Sequence, residues 1–266
     1  PAQRLDIYWP AAGNGPFPVI VALHGGAFMG GDKRDAQLTP MLAGLERGYA
    51  VVAVNYRMSG EATFPALVHD VKAAVRWIRA THANYLLDPE RIAAWGGSAG
   101  GYLALMAGVT AAVAELDDPT LGIGAYSCAV QAVVDWFGPT DFLKMDEQLA
   151  ETGLAPAPDF AHNGANSPES LLLGRQITEI PDLVRTANPE THLHAGMPPL
   201  FIQHGDRDAI VPYQQSVNFA ARARRVAGDA AVRMEILAGA GHADAAFVTA
   251  QNVQKVLDFL DQILGA

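Results

Sequence analysis

The run Val19-Ile20-Val21-Ala22-Leu23 is apolar at every position, and it restricts the fold of this chain more than any other segment. A strand with no polar side must be covered on both faces. That is the condition of a central strand in a mainly parallel sheet packed between helices. The rest of the chain carries the matching alternation. Strand-like segments stand at Leu5–Trp9, Ala50–Tyr56, Ile92–Trp95, Val130–Phe137, Leu200–His204 and Val232–Leu237. Helix-like segments stand at Ala36–Arg47, Pro65–Ala83, Gly100–Ala114, Tyr213–Ala227 and Ala245–Leu264. Leu67, Val68, Val71, Val75 and Ile78 recur at helical spacing, as do Phe247, Val253, Val256, Leu257, Leu260 and Leu264, so both helices have a face for the sheet. The expected fold class is α/β.

One junction between strand and helix has a special form. Arg91-Ile92-Ala93-Ala94-Trp95 leads through Gly96-Gly97-Ser98-Ala99-Gly100 into Gly101-Tyr102-Leu103-Ala104-Leu105-Met106-Ala107. Gly-x-Ser-x-Gly between a strand and a helix presents its serine on a sharp turn at the helix N-terminus, a nucleophile elbow. Standing alone, the pentapeptide also fits a glycine-rich turn with a capping serine. A serine hydroxyl needs an adjacent base, and the base needs an orienting acid. Of the eight histidines, His242 is best placed, on the glycine-rich loop that leaves Val232–Leu237. The acid is Asp208 or Asp206, in the charged loop after Leu200–His204; loop geometry favours Asp208 and suits Asp206 to capping a turn. The order Ser98, Asp208, His242 is then Ser, Asp, His, as in one class of hydrolase. His24-Gly25-Gly26-Ala27 follows the apolar strand, and the amides of Gly26, Ala27 and Ala99 can receive an oxyanion, each donor being worth about 3 kcal/mol in acyl transfer. A phosphate loop is the rival for these glycines, but neither Gly-Lys-Ser/Thr nor Gly-x-Gly-x-x-Gly is present.

These motifs, with His204-Gly205-x-x-Asp208-x-x-Val211-Pro212 and Gly239-Ala240-Gly241-His242, resemble those of α/β-hydrolase esterases. More narrowly, the chain is similar to bacterial carboxylesterases of the hormone-sensitive-lipase and acetyl- or feruloyl-esterase type. Ala132–Phe142 looks like the sixth strand and following loop of that group. The resemblance runs from about Pro18 to Leu264. It implies an α/β-hydrolase fold, a serine esterase acting on short-chain or aromatic esters, and no cofactor or metal. It also raises the preference for Asp208. Two positions depart from the pattern: Ala27 stands where a third glycine is usual, and Ala243 follows the histidine where relatives often have glycine. A prolyl-oligopeptidase-like peptidase and a non-catalytic binding relative of the fold are the alternatives. The first usually carries a large further domain; the second typically loses its serine or histidine.

At 266 residues the chain is expected to be a single domain. Residues 138–197 break the alternation with Ala155-Pro156-Ala157-Pro158, Asn163-Gly164, Asn166-Ser167-Pro168 and Asn188-Pro189. So long a structureless loop is improbable. The expectation is a small cap of short helices, between strands six and seven in the family's count, overhanging the site at the carboxyl end of the sheet. His162, His192 and His194 in it fit no zinc spacing and read as solvated or capping histidines. Phe28, Met29, Trp136 and Phe137 border the expected site and are candidates for its pocket, with core packing as the alternative for each. The net charge is −10 with no basic block, against nucleic-acid binding. The single cysteine, Cys128, excludes an internal disulfide and reads as a buried thiol. No apolar run approaches the roughly 20 residues that cross a bilayer. No leader is visible, although a start at Pro1 leaves its removal open, so the expected location is soluble, cytoplasmic or secreted. The expected partner is a small ester, including an acylated plant saccharide; the oligomeric state is not legible.

Overall fold

The computed structural model describes residues 2–118, 120–121, 123–154 and 161–265. Seven strands form one sheet: β1 (Arg4–Tyr8), β2 (Phe17–Leu23), β3 (Ala50–Asn55), β4 (Leu87–Gly97), β5 (Ala132–Trp136), β6 (Leu200–Gly205) and β7 (Val232–Leu237). Their order is β1-β3-β2-β4-β5-β6-β7; β1 runs antiparallel to β3, and the other neighbours are parallel. The helices are α1 (Thr39–Leu42), α2 (Ala66–Tyr85), α3 (Ala99–Val109), α4 (Met145–Thr152), α5 (Pro168–Leu173), α6 (Pro181–Ala187), α7 (Gln214–Ala227) and α8 (Ala250–Leu264).

The two faces follow from the period of the strands. Val19, Val21, Leu23, Val52, Val54, Ile92 and Ala94 face a core shared with Leu67, Val71, Val75 and Ile78 of α2, with α3 and with Phe219 of α7. Ile20, Ala22, Val51, Trp95 and Val134 face the opposite core, closed by Val253, Val256, Leu257 and Leu260 of α8. Every residue of α3 is buried, because the helix lies against the sheet on one side and under other segments elsewhere. Cys128 is buried, with its sulfur 3.5 Å from an Arg76 guanidinium nitrogen.

Two expectations need correction. The segment 36–47 is not one helix but two 3-10 turns flanking the four-residue α1. The last helix starts at Ala250 rather than Ala245, because Thr249 caps it by accepting a hydrogen bond from the Asn252 amide at 3.2 Å. The insertion leaves β5 and returns at β6 of this seven-stranded sheet, the interval expected from the sequence. Its helices α4, α5 and α6 are short; 3-10 turns precede α4, link α5 to α6 and follow α6, and Leu172, Ile177, Val184 and Ala187 bury into the core shared with α2 and α3. The Ala155-Pro156-Ala157-Pro158 stretch lies outside the described residues.

Candidate active site

Strand β4 ends at Gly97 and α3 begins at Ala99, which leaves Ser98 alone to reverse the chain at φ +56° and ψ −124°. That region is costly for a residue with a Cβ, and it persists only where the surroundings dictate it. Here they do: the Ser98 amide donates to Trp136 O at 2.8 Å, and Ser98 O accepts from the Tyr102 amide at 3.0 Å. The flanking glycines are obligatory. A Cβ on Gly100 would stand 2.1 Å from Leu23 O, and one on Gly96 2.2 Å from the Gly100 carbonyl.

Three loops at the carboxyl end of the sheet converge on this serine. His242, from the loop after β7, places Nε2 3.0 Å from Ser98 Oγ and Nδ1 2.7 Å from Asp208 Oδ2. Asp208, from the loop after β6, is fully buried. Its Oδ1 accepts the amides of Ile210 and Val211, both at 2.9 Å. Burial pushes the carboxyl upward, but hydrogen bonds from His204 and His242 outweigh it and hold the group well below the usual carboxylate range. An ionised Asp208 can only accept, so the proton on His242 lies on Nδ1 and leaves the Nε2 lone pair for the serine hydroxyl. Asp206, its competitor, points elsewhere and accepts the Gly239 amide at 2.7 Å. The Phe137 ring and the His242 imidazole pack edge to face with centroids 4.8 Å apart.

The loop after β2 supplies donors. Gly26, Ala27 and Phe28 all have positive φ, at +121°, +53° and +63°. Gln37 Oε1 accepts the Gly25 amide at 2.8 Å and thereby fixes the start of the loop. Gly26 O accepts the amides of Met29 and Gly30, while the Gly26 and Ala27 amides have no acceptor among the described residues. Ala99, in the first turn of α3, has no intrahelical acceptor either. Ala243, the other departure noted in the sequence, also sits at positive φ, +53°.

A cavity of about 350 Å³ opens beside Ser98, lined mainly by apolar side chains that include Met41, Trp136, Phe137, Ile210, Phe247 and Val248. Trp136 and Phe137 thus reach it as the sequence suggested, whereas Phe28 and Met29 do not. Phe28 is buried against Tyr102 and Phe142, and Met29 is 48% exposed at the surface. Among the described residues, the insertion contributes nothing to the cavity wall. The walls come instead in part from α1 and from residues 243–248, of which 245–248 fall in the helix-like segment of the sequence. A threonine at 249 followed three residues later by Asn252 was the signal for the later start.

His162 also departs from expectation. It is 2% exposed rather than solvated, and its Nε2 donates to Ile210 O at 2.8 Å, which ties the insertion to the loop bearing Asp208. Its Nδ1 stands 3.1 Å from Glu169, within ion-pair reach though off the line of a hydrogen bond. Burial works against charge on this imidazole, but the carboxylate beside it holds it above its ordinary range. His192 Nε2 lies 2.8 Å from Thr186 O, a capping contact. Among the described residues no group of three His, Cys, Asp or Glu is placed to hold a metal ion.

One acid near the elbow takes no part in this constellation. Asp135 is fully buried on β5, with one oxygen accepting the Gly138 amide at 2.9 Å and the other without a partner. Burial pushes its carboxyl up to about 7 from an ordinary value of 3.8. Between those values the unfolded carboxyl is ionised while the folded one keeps its proton. Stability therefore falls as pH rises through that window, by roughly 4 kcal/mol in all, and levels off above it. Asp135→Asn should flatten this slope, with a gain over the parent at pH 8 that vanishes at pH 4. Urea midpoints across the range check it; parallel slopes in the two proteins would refute the assignment.

The sheet order, the strained serine turn and the convergent loops define an α/β-hydrolase with a serine-histidine-acid site. The chain belongs to the BD-FAE family, whose model matches residues 5–222. It is similar to Esterase LipQ of Mycobacterium tuberculosis, 35% identical over 253 residues, which cover 93% of this chain and 56% of that protein. Two solved structures are also similar. A truncated carbohydrate esterase from gut microbiota has a TM-score of 0.84 at 31% identity, covering 98% of this chain and 91% of its own. Esterase 2 of Thermogutta terrifontis, phosphonylated by cyclosarin, has a TM-score of 0.73 at 26% identity, covering 98% and 88%. The chain spans about half the length of the curated relatives it matches. No helix among its described residues is long and apolar enough to cross a membrane.

Proposed function

We propose that this chain is a serine carboxylesterase that hydrolyses short-chain or aromatic esters. Ser98 attacks the carbonyl as His242 Nε2 takes its proton, and Asp208 stabilises the imidazolium through Nδ1. The amides of Gly26, Ala27 and Ala99 receive the oxyanion. His242 then protonates the departing alkoxide, and water repeats the sequence on the acyl-enzyme. The observation that carries the reading is the pair of distances at His242, 3.0 Å to Ser98 Oγ and 2.7 Å to Asp208 Oδ2, beside amides left without acceptors.

The cavity supports the acyl preference. At about 350 Å³ it suits a small acyl group, and its walls are largely apolar. A longer chain would leave methylenes in water and gain nothing from them. The alcohol side fits an acylated saccharide, including one of plant origin, a reading supported by the likeness to a carbohydrate esterase. A panel of p-nitrophenyl esters, methyl ferulate, acetylated xylan and a prolyl anilide tests both parts. The expected result is kcat/KM highest for short acyl or hydroxycinnamoyl groups and falling with longer chains, with no turnover of the anilide. Preferred cleavage of the anilide would reverse the proposal in favour of a peptidase.

A further inference from the structure

A second histidine, not needed by the three-residue arrangement, touches its acid. His204, at the end of β6, is fully buried. Its Nε2 stands 2.9 Å from Val211 O and 3.2 Å from Asp208 Oδ2, and its Nδ1 stands 2.7 Å from Ser216 Oγ on α7. A backbone carbonyl can only accept, and so can an ionised carboxylate. An imidazole nitrogen facing two such oxygens must carry a proton, since a bare lone pair there would meet two others. Nδ1 of a neutral ring then accepts from the Ser216 hydroxyl.

We infer that His204 is a positioning residue, which acts on the esterase reaction through Asp208 by donating Nε2–H to the same oxygen, Oδ2, that receives His242. The inference rests on the esterase reading of the site. Asp208 then holds four donors in fixed directions: two amides on Oδ1 and two imidazoles on Oδ2. With Oδ1 pinned by its own loop and Oδ2 by His204, the carboxylate cannot rotate about its terminal bond away from His242. The shared proton also draws negative charge from Oδ2. This moderates how strongly the carboxylate holds a proton on His242, so the imidazole can release it to the leaving alkoxide. The Phe137 ring packs edge-on with both imidazoles, with centroids 4.8 Å from His242 and 6.4 Å from His204.

The pair His204→Gln and His204→Asn tests this. A glutamine amide reaches the place of Nε2 and can still donate to Asp208, whereas an asparagine reaches only the place of Nδ1 and Ser216. For p-nitrophenyl acetate, His204→Asn should lower kcat roughly tenfold to a hundredfold with KM little changed. The acidic limb of its kcat/KM profile should move to higher pH, because the charge left on Oδ2 favours the imidazolium. His204→Gln should recover most of the rate and the position of the limb. Equal losses in both variants, or an unmoved limb in His204→Asn, would reduce His204 to a packing residue and overturn the inference. Should neither variant fold, nitrogen-proton correlation spectra of the 15N-labelled parent protein decide. A proton on His204 Nε2 supports the donor role, and a bare Nε2 refutes it. Labelling of the parent by a fluorophosphonate runs alongside. Without labelling the esterase reading itself fails, whereas labelling with indifferent His204 variants removes only the present inference.

Discussion

Replacement of Ser98 by alanine should abolish ester hydrolysis, with a loss of about 10⁶ in kcat, the scale seen when the nucleophile is removed from a serine hydrolase of another fold. Labelling by a fluorophosphonate should vanish with it. The fold should not change, since the hydrogen bonds that fix position 98 run from its amide to Trp136 O and to its carbonyl from the Tyr102 amide. Alanine retains both. The Cβ that makes φ +56° costly is also retained, so the melting temperature should stay close to the parent's. A Ser98→Ala protein that still turned over p-nitrophenyl acetate beyond the residual rate of an oxyanion site would place the nucleophile elsewhere. Activity lost together with the fold would say nothing about the hydroxyl, so circular dichroism accompanies the assay.

Much of this arrangement was legible in the chain because it is carried by local backbone demands. Only glycine tolerates the contacts that Gly96 and Gly100 make, so the elbow is written as a short pattern. A run such as Val19–Leu23 advertises a strand covered on both faces, and the stripe on α2 advertises the helix that covers one of them. The loops after β6 and β7 show their functional residues because each leaves a strand end, where a parallel sheet collects its chemistry. What the chain concealed is set by a cap that overrides a helical period and by contacts that the residue pattern does not specify. Phe247 follows the helical period of α8 yet lies before its cap, beside the cavity, because Thr249 takes the N-cap position. His162 looks like a loop histidine until Glu169 and Ile210 O close around it. The insertion was expected above the site on the strength of its exit from the sheet. Its described residues pack over α3, where Tyr102 Oη donates to Ala187 O at 2.9 Å. Its hold on the site passes through His162 and the Asp208 loop. Composition carries no trace of such contacts, and His204 shows the same limit: its neighbours Ser216 and Asp208 come from two different segments after the strand.

Asp208→Asn should be nearly as damaging as loss of the base, by a route the geometry makes explicit. If the asparagine oxygen keeps the amides of Ile210 and Val211, its NH₂ group faces both histidines. Nδ1 of His242 must then accept, the imidazole proton moves to Nε2, and the group beside Ser98 Oγ becomes a donor that cannot take a proton. If the amide is flipped, its NH₂ meets two backbone donors instead. In either orientation a buried donor is left against a donor. The expected fall in kcat is about 10⁴, as when the wrong tautomer is enforced in a serine protease. Stability should also fall. Asp208 is held below its ordinary range, so its ionised form stabilises the folded state fully above that range, and the contribution is lost as pH falls towards the folded value. The gap in urea midpoint between parent and variant should therefore be widest near neutrality and narrow in acid. Asp206→Asn is the control, because that side chain accepts a single exposed amide, Gly239, and an asparagine oxygen serves as well. If Asp206→Asn lost activity while Asp208→Asn remained within tenfold of the parent, the acid would have to be reassigned and the tautomer argument with it.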